Sequence, residues 1–247
     1  MKIAVAGATG RVGRHVVDIL SAAGHEVVPM SRGTGVDVTT GAGLDAALEG
    51  VECIIDAATG PSPDQEQATA FFTASARNLQ AAGARAGVQR IVVVSIIGIE
   101  RYSGGYNAAK VAHEQALLAG PLPVRILRAS QFHEFVAELL AWGTQGDIAY
   151  LPNMRTQLVA ARSVAQALAD LAISGESTGT SEIAGPREES LLAAATLVAA
   201  KRGAPQKVAR ATGLDPDSEL MEQGAALPNG NALLTGPTFE EWLDATN

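Results

Sequence analysis

The feature that most constrains the fold is a glycine-rich turn near the N-terminus. The apolar run from Lys2 to Ala6 predicts a short buried strand, which leads directly into Gly7-Ala8-Thr9-Gly10-Arg11-Val12-Gly13. Apolar residues then recur at helical spacing from Val12 to Leu20, so strand, turn and amphipathic helix follow in order. Glycines allow close approach to the backbone, and the free N–H groups of a first helical turn attract negative charge. The turn therefore predicts a pyrophosphate-binding site formed by Gly7, Ala8, Thr9, Gly10, Arg11, Val12 and Gly13.

The glycines of this turn are spaced three and three residues apart. The usual dinucleotide fingerprint places its first two glycines one residue closer together. The alternative is a glycine-rich turn that binds nothing. Each glycine lowers the free energy of unfolding by about 0.5–1 kcal/mol relative to alanine, because glycine loses more conformational entropy on folding. Three glycines in a turn that binds nothing would therefore destabilise the fold without any functional gain. We therefore favour a binding site.

Strand-like runs alternate with helical patterns through the first 130 residues. The strand-like runs extend from Ile3 to Ala6, Val27 to Met30, Cys53 to Ile55, Ile91 to Val94 and Val124 to Leu127. The helical patterns extend from Val12 to Ala23, Leu44 to Leu48, Gln65 to Ala86 and Ala108 to Leu118. Continuously apolar strands are typical of a parallel sheet that helices cover on both faces. We predict an α/β fold, a Rossmann-like doubly wound parallel sheet.

The alternation weakens after residue 133. Helical patterns from Glu134 to Trp142, Arg162 to Ile173 and Glu188 to Lys201 are separated by strand-like pieces from Asp147 to Leu151 and Glu182 to Ala184. The stretch from Gly213 to Pro237 is predicted to be mostly loop, and Thr238 is predicted to cap a final helix. We expect a single domain with its core in residues 1–133. Residues 134–160 and 185–247 are expected to add edge strands and a small lobe on the substrate side.

Composition excludes several classes of protein. The formal net charge is −8 and the sequence has no run of Lys or Arg, so we expect no nucleic-acid partner. The apolar stretches are shorter than the roughly 20 residues of a membrane helix, and the N-terminus enters the first strand without room for a leader. The single cysteine, Cys53, indicates a reducing compartment. We expect a cytoplasmic protein with a small-molecule substrate and no metal, because the four histidines are scattered.

The residues after the second strand bear on the choice of nucleotide. A site that prefers NAD places an acidic residue there, whereas this chain has Ser31 and Arg32. Arg32 can pair with a 2′-phosphate, with Ser31 and Arg11 nearby, so NADP is favoured over NAD. The alternative is that both arginines are ordinary surface cations. Further expected cofactor contacts are Asp37 and Val38 at the adenine edge, and Ala57, Ala58 and Thr59 beneath the adenosine.

A tyrosine and a lysine after the fourth strand are the candidate catalytic residues. Tyr106 and Lys110 are four residues apart, so they share one face of a helix. A nearby ammonium lowers the pKa of a tyrosine, which would let Tyr106 exchange a proton with substrate near neutrality. Lys110 is also expected to contact the cofactor. His113 is predicted to be a polar or half-buried helix residue and not a base.

The sequence resembles the atypical short-chain dehydrogenases/reductases of the NmrA-like, NAD(P)-binding group. The resemblance is carried by the glycine turn, by Val93-Val94-Ser95, by Tyr106 with Lys110, and by residues 127–132. It implies that the segment after the fifth strand lies against the nicotinamide. On this basis Ser95, Ala129 and Phe132 are assigned to the cofactor site, and Ile97, Gln131 and His133 to the substrate pocket. Active extended members carry Ser or Thr where this chain has Ile97, so an intact catalytic set is not demonstrated.

Two classes of function follow from these features. The first is an NADP(H)-dependent oxidoreductase that acts on a small carbonyl, quinone or hydroxyl substrate, with a nucleotide-sugar epimerase-like enzyme as a variant. The second is a non-catalytic, NADP(H)-binding redox sensor or regulatory protein. Retention of Tyr106 and Lys110 favours the enzyme, and Ile97 favours the sensor. The fold alone does not select the substrate.

Overall fold

The predicted strands of the first half all form in the structure. The structure is a computed structural model that describes residues 1–175, 178–211 and 217–246. The five predicted runs become the first five strands, each within two residues of its expected bounds. The strands are β1 (Lys2–Ala6), β2 (Glu26–Met30), β3 (Cys53–Asp56), β4 (Arg90–Ile96), β5 (Val124–Ala129), β6 (Thr144–Gln145), β7 (Ile148–Leu151), β8 (Arg155–Thr156), β9 (Gly179–Ala184), β10 (Glu189–Ser190), β11 (Lys207–Arg210) and β12 (Leu233–Leu234).

Helices separate the first five strands, as the apolar periodicity predicts. Short 3-10 turns follow β2 and β4, at Arg32–Thr34 and Ile99–Arg101. The helices are α1 (Gly13–Ala22), α2 (Leu44–Ala47), α3 (Gln65–Ala86), α4 (Gly105–Leu118), α5 (His133–Gly143), α6 (Ala161–Ile173), α7 (Leu191–Arg202), α8 (Ser218–Glu222) and α9 (Phe239–Ala245). Throughout the described ranges, each helix is too short or too polar to span a lipid bilayer.

The main sheet has seven strands in the order β12-β9-β5-β4-β3-β1-β2. Pairing is parallel between β1 and β2, β1 and β3, and β3 and β4. Ile3 lies opposite Val27 on one side and Cys53 on the other. All four residues of β3 and four of the five residues of β1 are buried, as expected for strands covered on both faces. The predicted Rossmann-like parallel sheet is confirmed.

The chain divides into two compact units. The first unit comprises Met1–Ser95, Gly104–Arg128 and Val164–Ser181, and the second comprises Ile96–Ser103, Ala129–Ser163 and Glu182–Asn247. In the first unit, aliphatic side chains of α2, α3 and α4 pack on the apolar strands, with Leu44, Leu79 and Leu117 fully buried. In the second unit, α5, α7 and α9 contribute a separate core that includes Leu140, Val198 and Phe239.

One prediction for the C-terminal half, a helix start, is wrong in part. The helix expected from Glu188 begins at Leu191, because Ser190 caps it by accepting a hydrogen bond from the Ala193 N–H. The preceding two residues form β10, which pairs with β8. The stretch expected to be mostly loop contains α8 and β12, while its residues 213–216 lie outside the described residues. Thr238 caps α9 as predicted, and its hydroxyl accepts from the Glu241 N–H.

Candidate functional site

The glycine turn after β1 is closed by backbone contacts that exclude larger residues. Gly7 has φ +74°, and its N–H donates to the Met30 carbonyl oxygen at 3.1 Å. The Gly10 N–H donates back to the Gly7 carbonyl oxygen at 2.9 Å. A Cβ atom on Gly13 would lie 2.1 Å from that same oxygen, which is far inside van der Waals contact. Two of the three glycines are thus required by the geometry of the turn itself.

The start of α1 is open to an anion. Val12 occupies the N-cap position, no side chain caps the helix, and its first turn contains no acidic residue. Thr9 is exposed, whereas Arg11 and Gly10 are half-buried. Uncapped N–H groups at a helix start carry partial positive charge and bind phosphate well. These residues therefore fit the pyrophosphate of a dinucleotide.

The segment after β3 packs against this turn. The Ala57 N–H donates to the Ala6 carbonyl oxygen at 3.1 Å. A Cβ atom on Gly7 would lie 2.6 Å from the Ala57 carbonyl oxygen and 2.8 Å from the Ala58 Cα. The structure thus brings the predicted Ala57-Ala58 segment into direct contact with the glycine turn.

Ser31 and Arg32 lie at the end of β2, beside the turn. The Ser31 N–H donates to the Thr34 hydroxyl at 2.9 Å, which fixes the short 3-10 turn that contains Arg32. Arg32 is exposed, and no carboxylate in the described part of the chain forms an ion pair with it. Its guanidinium is therefore available to an external anion.

Asp37 and Val38 belong to a loop that is held by its own hydrogen bonds. One Asp37 carboxylate oxygen accepts from the Thr39 N–H at 2.8 Å and from the Thr40 N–H at 3.3 Å. The Asn78 side chain on α3 donates to the Val38 carbonyl oxygen at 2.9 Å. The loop is therefore preformed, and Asp37 uses part of its acceptor capacity within it.

Tyr106 is near the start of α4 and is half-buried. Its hydroxyl lies 3.0 Å from the Thr59 hydroxyl, and its ring meets the Phe72 ring edge-to-face at 5.7 Å. Burial raises the pKa of Tyr106, against a smaller opposite effect of the Thr59 hydrogen bond. The prediction that Lys110 lowers this pKa is wrong, because Lys110 is directed to other partners. Tyr106 is therefore protonated at neutral pH.

The Lys110 ammonium is surrounded by protein groups. Its Nζ donates to the Val94 carbonyl oxygen at 3.0 Å and lies 2.9 Å from His113 Nδ1. It also lies 4.5 Å from the centroid of the Phe72 ring, within reach of a cation–π interaction. Burial lowers the pKa of Lys110 to about 8, although the charges of Asp56 and Glu114 oppose the shift. Two of the three N–H donors of the ammonium are thus used in hydrogen bonds within the protein. The cofactor contact expected of Lys110 stays a prediction.

A buried aspartate and histidine complete this cluster. His113 Nε2 lies 3.0 Å from one Asp56 carboxylate oxygen, and the other oxygen accepts from the Ala58 N–H at 3.1 Å. Burial and the Lys110 charge lower the pKa of His113, which is therefore neutral. Burial alone would raise the pKa of Asp56, but the His113 hydrogen bond and the Lys110 charge lower it overall. We call Asp56, Phe72, His113 and Lys110, with Thr59 and Tyr106, the Phe72 cluster.

Sequence reasoning identifies three of the six residues of this cluster, Thr59, Tyr106 and Lys110, and misses the other three. His113 was predicted to be polar or half-buried, yet it is 1% exposed and stacks on Phe72 at 4.6 Å. Asp56 was not singled out, although a charged residue directly after the apolar run Cys53-Ile54-Ile55 was the available signal. Nothing in the spacing of Phe72 distinguishes it from an ordinary core residue of α3.

The remaining predicted residues divide between the two units. Ser95 is in the first unit, buried in β4. The second unit contains the others, and there the Ile97 N–H donates to the Ala129 carbonyl oxygen at 3.0 Å. His133 is fully buried against Phe239 and Trp242, and burial lowers its pKa to about 4. It is therefore neutral near pH 7. The predicted site residues that lie in the second unit are Ile97, Ala129, Gln131, Phe132 and His133.

Metal chemistry finds no support in the ranges that the structure describes. There, no group of three or more His, Cys, Asp or Glu side chains is arranged to hold an ion. Cys53 is buried in β3, and burial raises the pKa of its thiol to about 12. A protonated, inaccessible thiol is a poor ligand and a poor nucleophile.

The parallel sheet, the glycine turn and the uncapped helix together define a dinucleotide-binding α/β protein. Comparison with known families agrees with this class. Residues 7–174 match the model of the family described as NAD(P)H-binding, and the chain belongs to that family.

A curated reductase is similar to part of the chain. The (4-alkanoyl-5-oxo-2,5-dihydrofuran-3-yl)methyl phosphate reductase of Streptomyces griseus is 31% identical over 155 residues. The match covers 57% of this chain and 50% of the reductase. The chain thus spans about half the length of this curated relative.

Solved structures with the same fold include two reductases. A dTDP-4-dehydrorhamnose reductase from Clostridium acetobutylicum is 19% identical, with a TM-score of 0.77 and 99% of each chain covered. An NADPH-dependent quinone oxidoreductase from Escherichia coli, complexed with NADPH, is 18% identical, with a TM-score of 0.70, and the match covers 98% of this chain and 99% of that one. At this identity the likeness shows the fold alone.

Proposed function

We propose that this protein is an NADPH-dependent reductase that acts on a small carbonyl compound or quinone, with the reverse oxidation of a hydroxyl compound as the same reaction run backwards. The observation that carries the proposal is the protonated, half-buried hydroxyl of Tyr106 on Thr59, in the same unit as the dinucleotide turn. A phenol that is protonated at neutral pH holds the proton that the carbonyl oxygen needs, and the alkoxide formed on hydride addition is basic enough to take it. The Streptomyces relative is named a reductase, which agrees with a reaction in the direction of reduction.

The cofactor would be held mainly by backbone groups of the first unit. The uncapped start of α1 receives the pyrophosphate, and the exposed Arg32 receives the 2′-phosphate that distinguishes NADPH from NADH. The family description covers both nucleotides, so the preference rests on Ser31 and Arg32. The proposed cofactor-binding residues are Gly7, Ala8, Thr9, Gly10, Arg11, Val12, Gly13, Ser31, Arg32, Asp37, Val38, Ala57, Ala58, Thr59, Ser95, Ala129 and Phe132.

The chain supplies the proton of the reduction. NADPH held at the glycine turn and Arg32 would supply the hydride for the new C–H bond at the carbonyl carbon and would leave as NADP⁺. Tyr106 gives its hydroxyl proton to the carbonyl oxygen, and the resulting tyrosinate takes a proton back from water. The neighbouring Thr59 hydroxyl donates a hydrogen bond to that tyrosinate while it is charged. The product is an alcohol. With a quinone, the hydride and the Tyr106 proton end on the two oxygens of the ring, and the product is a hydroquinone.

The test is NADPH oxidation against panels of aldehydes, ketones and quinones, with wild type and Tyr106→Phe. We expect Tyr106→Phe to lower kcat by about 10²–10⁴-fold, the usual contribution of a positioned acid. The Kd for NADPH is expected to stay within twofold, because no proposed nucleotide contact is lost. Tyr150→Phe, at an exposed site on β7, is the matched control. No oxidation with any compound, or full activity of Tyr106→Phe, would contradict the proposal.

A second candidate is a non-catalytic NADP(H) sensor. The burial of Lys110 and its hydrogen bonds with Val94 and His113 favour it, because they leave the lysine at most one N–H for a cofactor. A sensor must distinguish oxidised from reduced nucleotide. Titration with NADP⁺ and NADPH separates the candidates: tenfold discrimination without turnover supports the sensor, and turnover of any panel compound rejects it.

A further inference from the structure

The Phe72 cluster forms a closed ring of contacts within the first unit. Asp56 is joined to Thr59 by three peptide units, and Thr59 contacts the Tyr106 hydroxyl at 3.0 Å. The Tyr106 ring meets Phe72, Phe72 stacks on the His113 ring at 4.6 Å, and His113 returns to Asp56 at 3.0 Å. Displacement of any one member therefore disturbs the position of Tyr106.

Asp56 stands where this ring meets the dinucleotide turn. Its second carboxylate oxygen accepts from the Ala58 N–H at 3.1 Å, and the Ala57-Ala58 segment is the one that packs on Gly7. The carboxylate is 1% exposed, so no solvent competes for either bond. The buried Asp56 side chain thus holds two groups in place. One is the Ala57-Ala58 segment, which we call the floor of the glycine turn, and the other is His113 in the ring of contacts.

The hydrogen-bond network also fixes the tautomer of His113. A carboxylate only accepts, so Nε2 carries the ring proton and donates it to Asp56. An ammonium only donates, so Nδ1 is bare and accepts from Lys110. Asp56 therefore determines, through the imidazole, that His113 presents a hydrogen-bond acceptor to Lys110.

We propose that Asp56 and His113 are positioning residues of the reductase. Asp56 holds the Ala57-Ala58 floor through Ala58 and orients His113. His113 in turn supports Phe72 and binds Lys110, so that Thr59 and Tyr106 are held in place beside the dinucleotide turn. The inference rests on the proposed function only in naming Tyr106 as the acid.

The first test reads the tautomer directly by ¹⁵N NMR of the imidazole at pH 7.5, without cofactor. Wild type is expected to show a protonated Nε2 and a bare Nδ1 at His113. In Asp56→Asn the single amide oxygen stays on the Ala58 N–H, which can only donate, and the NH₂ group faces the ring. Loss of the Asp56 charge also lowers the pKa of Lys110 further, so at pH 7.5 the lysine becomes a neutral amine that can accept from Nδ1. We therefore expect the tautomer to invert, with the proton on Nδ1. An unchanged tautomer in Asp56→Asn would overturn the proposal.

The second test measures the Kd for NADPH by fluorescence titration, to show whether Asp56 holds the Ala57-Ala58 segment against the glycine turn. Asp56→Ala removes the acceptor of the Ala58 N–H, and we expect the Kd for NADPH to rise about tenfold. Asp56→Asn keeps that acceptor, and its Kd is expected to stay within twofold of wild type. Asp45→Ala is the control, because Asp45 is an exposed partner of Arg85 in the same unit. Wild-type affinity in a folded Asp56→Ala protein would overturn this part.

Both tests decide the inference without a substrate. If Asp56→Ala does not fold, the near-isosteric Asp56→Asn still gives the tautomer result. Where a substrate is found, Asp56→Asn is expected to lower kcat at least tenfold and to leave the KM for NADPH unchanged, a split that a general loss of stability does not produce. If no carbonyl compound is reduced, the proposed function is wrong. The NMR and titration results then still decide whether Asp56 and His113 position their neighbours.

Discussion

Arg32 and Lys110 carry the same charge in opposite surroundings. Arg32 is exposed and forms no ion pair in the described part of the chain, whereas Lys110 is 5% exposed and has a pKa lowered to about 8. Exposure leaves the Arg32 guanidinium free for a ligand, and burial commits the Lys110 ammonium to Val94, His113 and Phe72. The two cations are thus suited to different tasks, one in recognition and one in holding the fold.

Arg32→Ala tests the part of this contrast that concerns recognition. A hydrogen bond to a charged group contributes about 1.5–3 kcal/mol, so we expect the Kd for NADPH to rise about 10–100-fold. The Kd for NADH is expected to stay within twofold, because NADH has no 2′-phosphate. Isothermal titration with both nucleotides measures the difference. Arg85→Ala, at an exposed ion pair of the same unit, serves as control, and equal weakening toward both nucleotides would contradict the assignment.

The sequence predicts local relations between residues better than distant ones. The glycine turn is local, so its role follows from strand, turn and helix in order. Tyr106 and Lys110 were placed on one helix face, and both do contact Phe72. The raised pKa of Tyr106 was not foreseen, because Lys110 is held by His113 and Val94, and His113 by Asp56 at a separation of 57 residues. Such a pairing depends on the register of β3 and α4, which no short motif encodes.

At the scale of elements, β1, its turn and α1 form a unit whose shape depends on missing Cβ atoms. Gly7 lies against the Ala57 carbonyl and Gly13 against the Gly7 carbonyl, and in each case the neighbour is backbone that cannot rotate away. Elements defined by such local contacts were predicted correctly. The two-residue strands β8 and β10 were not predicted, because they are defined by their hydrogen-bonded pairing with each other and not by a local sequence pattern.

Gly13→Ala is expected to disrupt this unit. The added Cβ would lie 2.1 Å from the Gly7 oxygen, so the turn or α1 must shift. Overpacking of this kind costs about 1–3 kcal/mol, which urea unfolding measures, and we expect NADPH affinity to fall at least tenfold. Gly230→Ala is the control, since a Cβ there meets nothing within 4 Å. Wild-type stability and affinity in Gly13→Ala would refute the packing argument.

At the scale of the whole molecule, buried titratable groups make stability depend on pH. The pKa of Lys110 falls from its ordinary value of 10.5 to about 8 on folding. Between these values the unfolded chain binds more protons than the folded one, so the free energy of unfolding rises with pH. Cys53 acts in the opposite sense above about pH 9, because burial raises the pKa of its thiol to about 12.

Lys110→Met isolates the contribution of the lysine. From pH 8 to pH 9 we expect the free energy of unfolding of wild type to rise by about 1 kcal/mol relative to the variant, from the linkage of one group with a folded pKa of about 8. Urea unfolding of both proteins at the two pH values measures the difference. Parallel pH profiles would show that the Lys110 ammonium titrates alike in both states.

The burial of Lys110 has a further consequence for covalent labelling. The sequence has four lysines, and the other three are Lys2, Lys201 and Lys207. Acylation needs a free, accessible amine, so Lys201 and Lys207, both exposed, react in the folded protein. Lys110 becomes available only when α4 separates from Phe72 and Val94. The rate of Lys110 acylation, measured by peptide mass spectrometry, therefore reports the rate at which α4 separates from Phe72 and Val94 in the first unit. The measurement needs no engineered label.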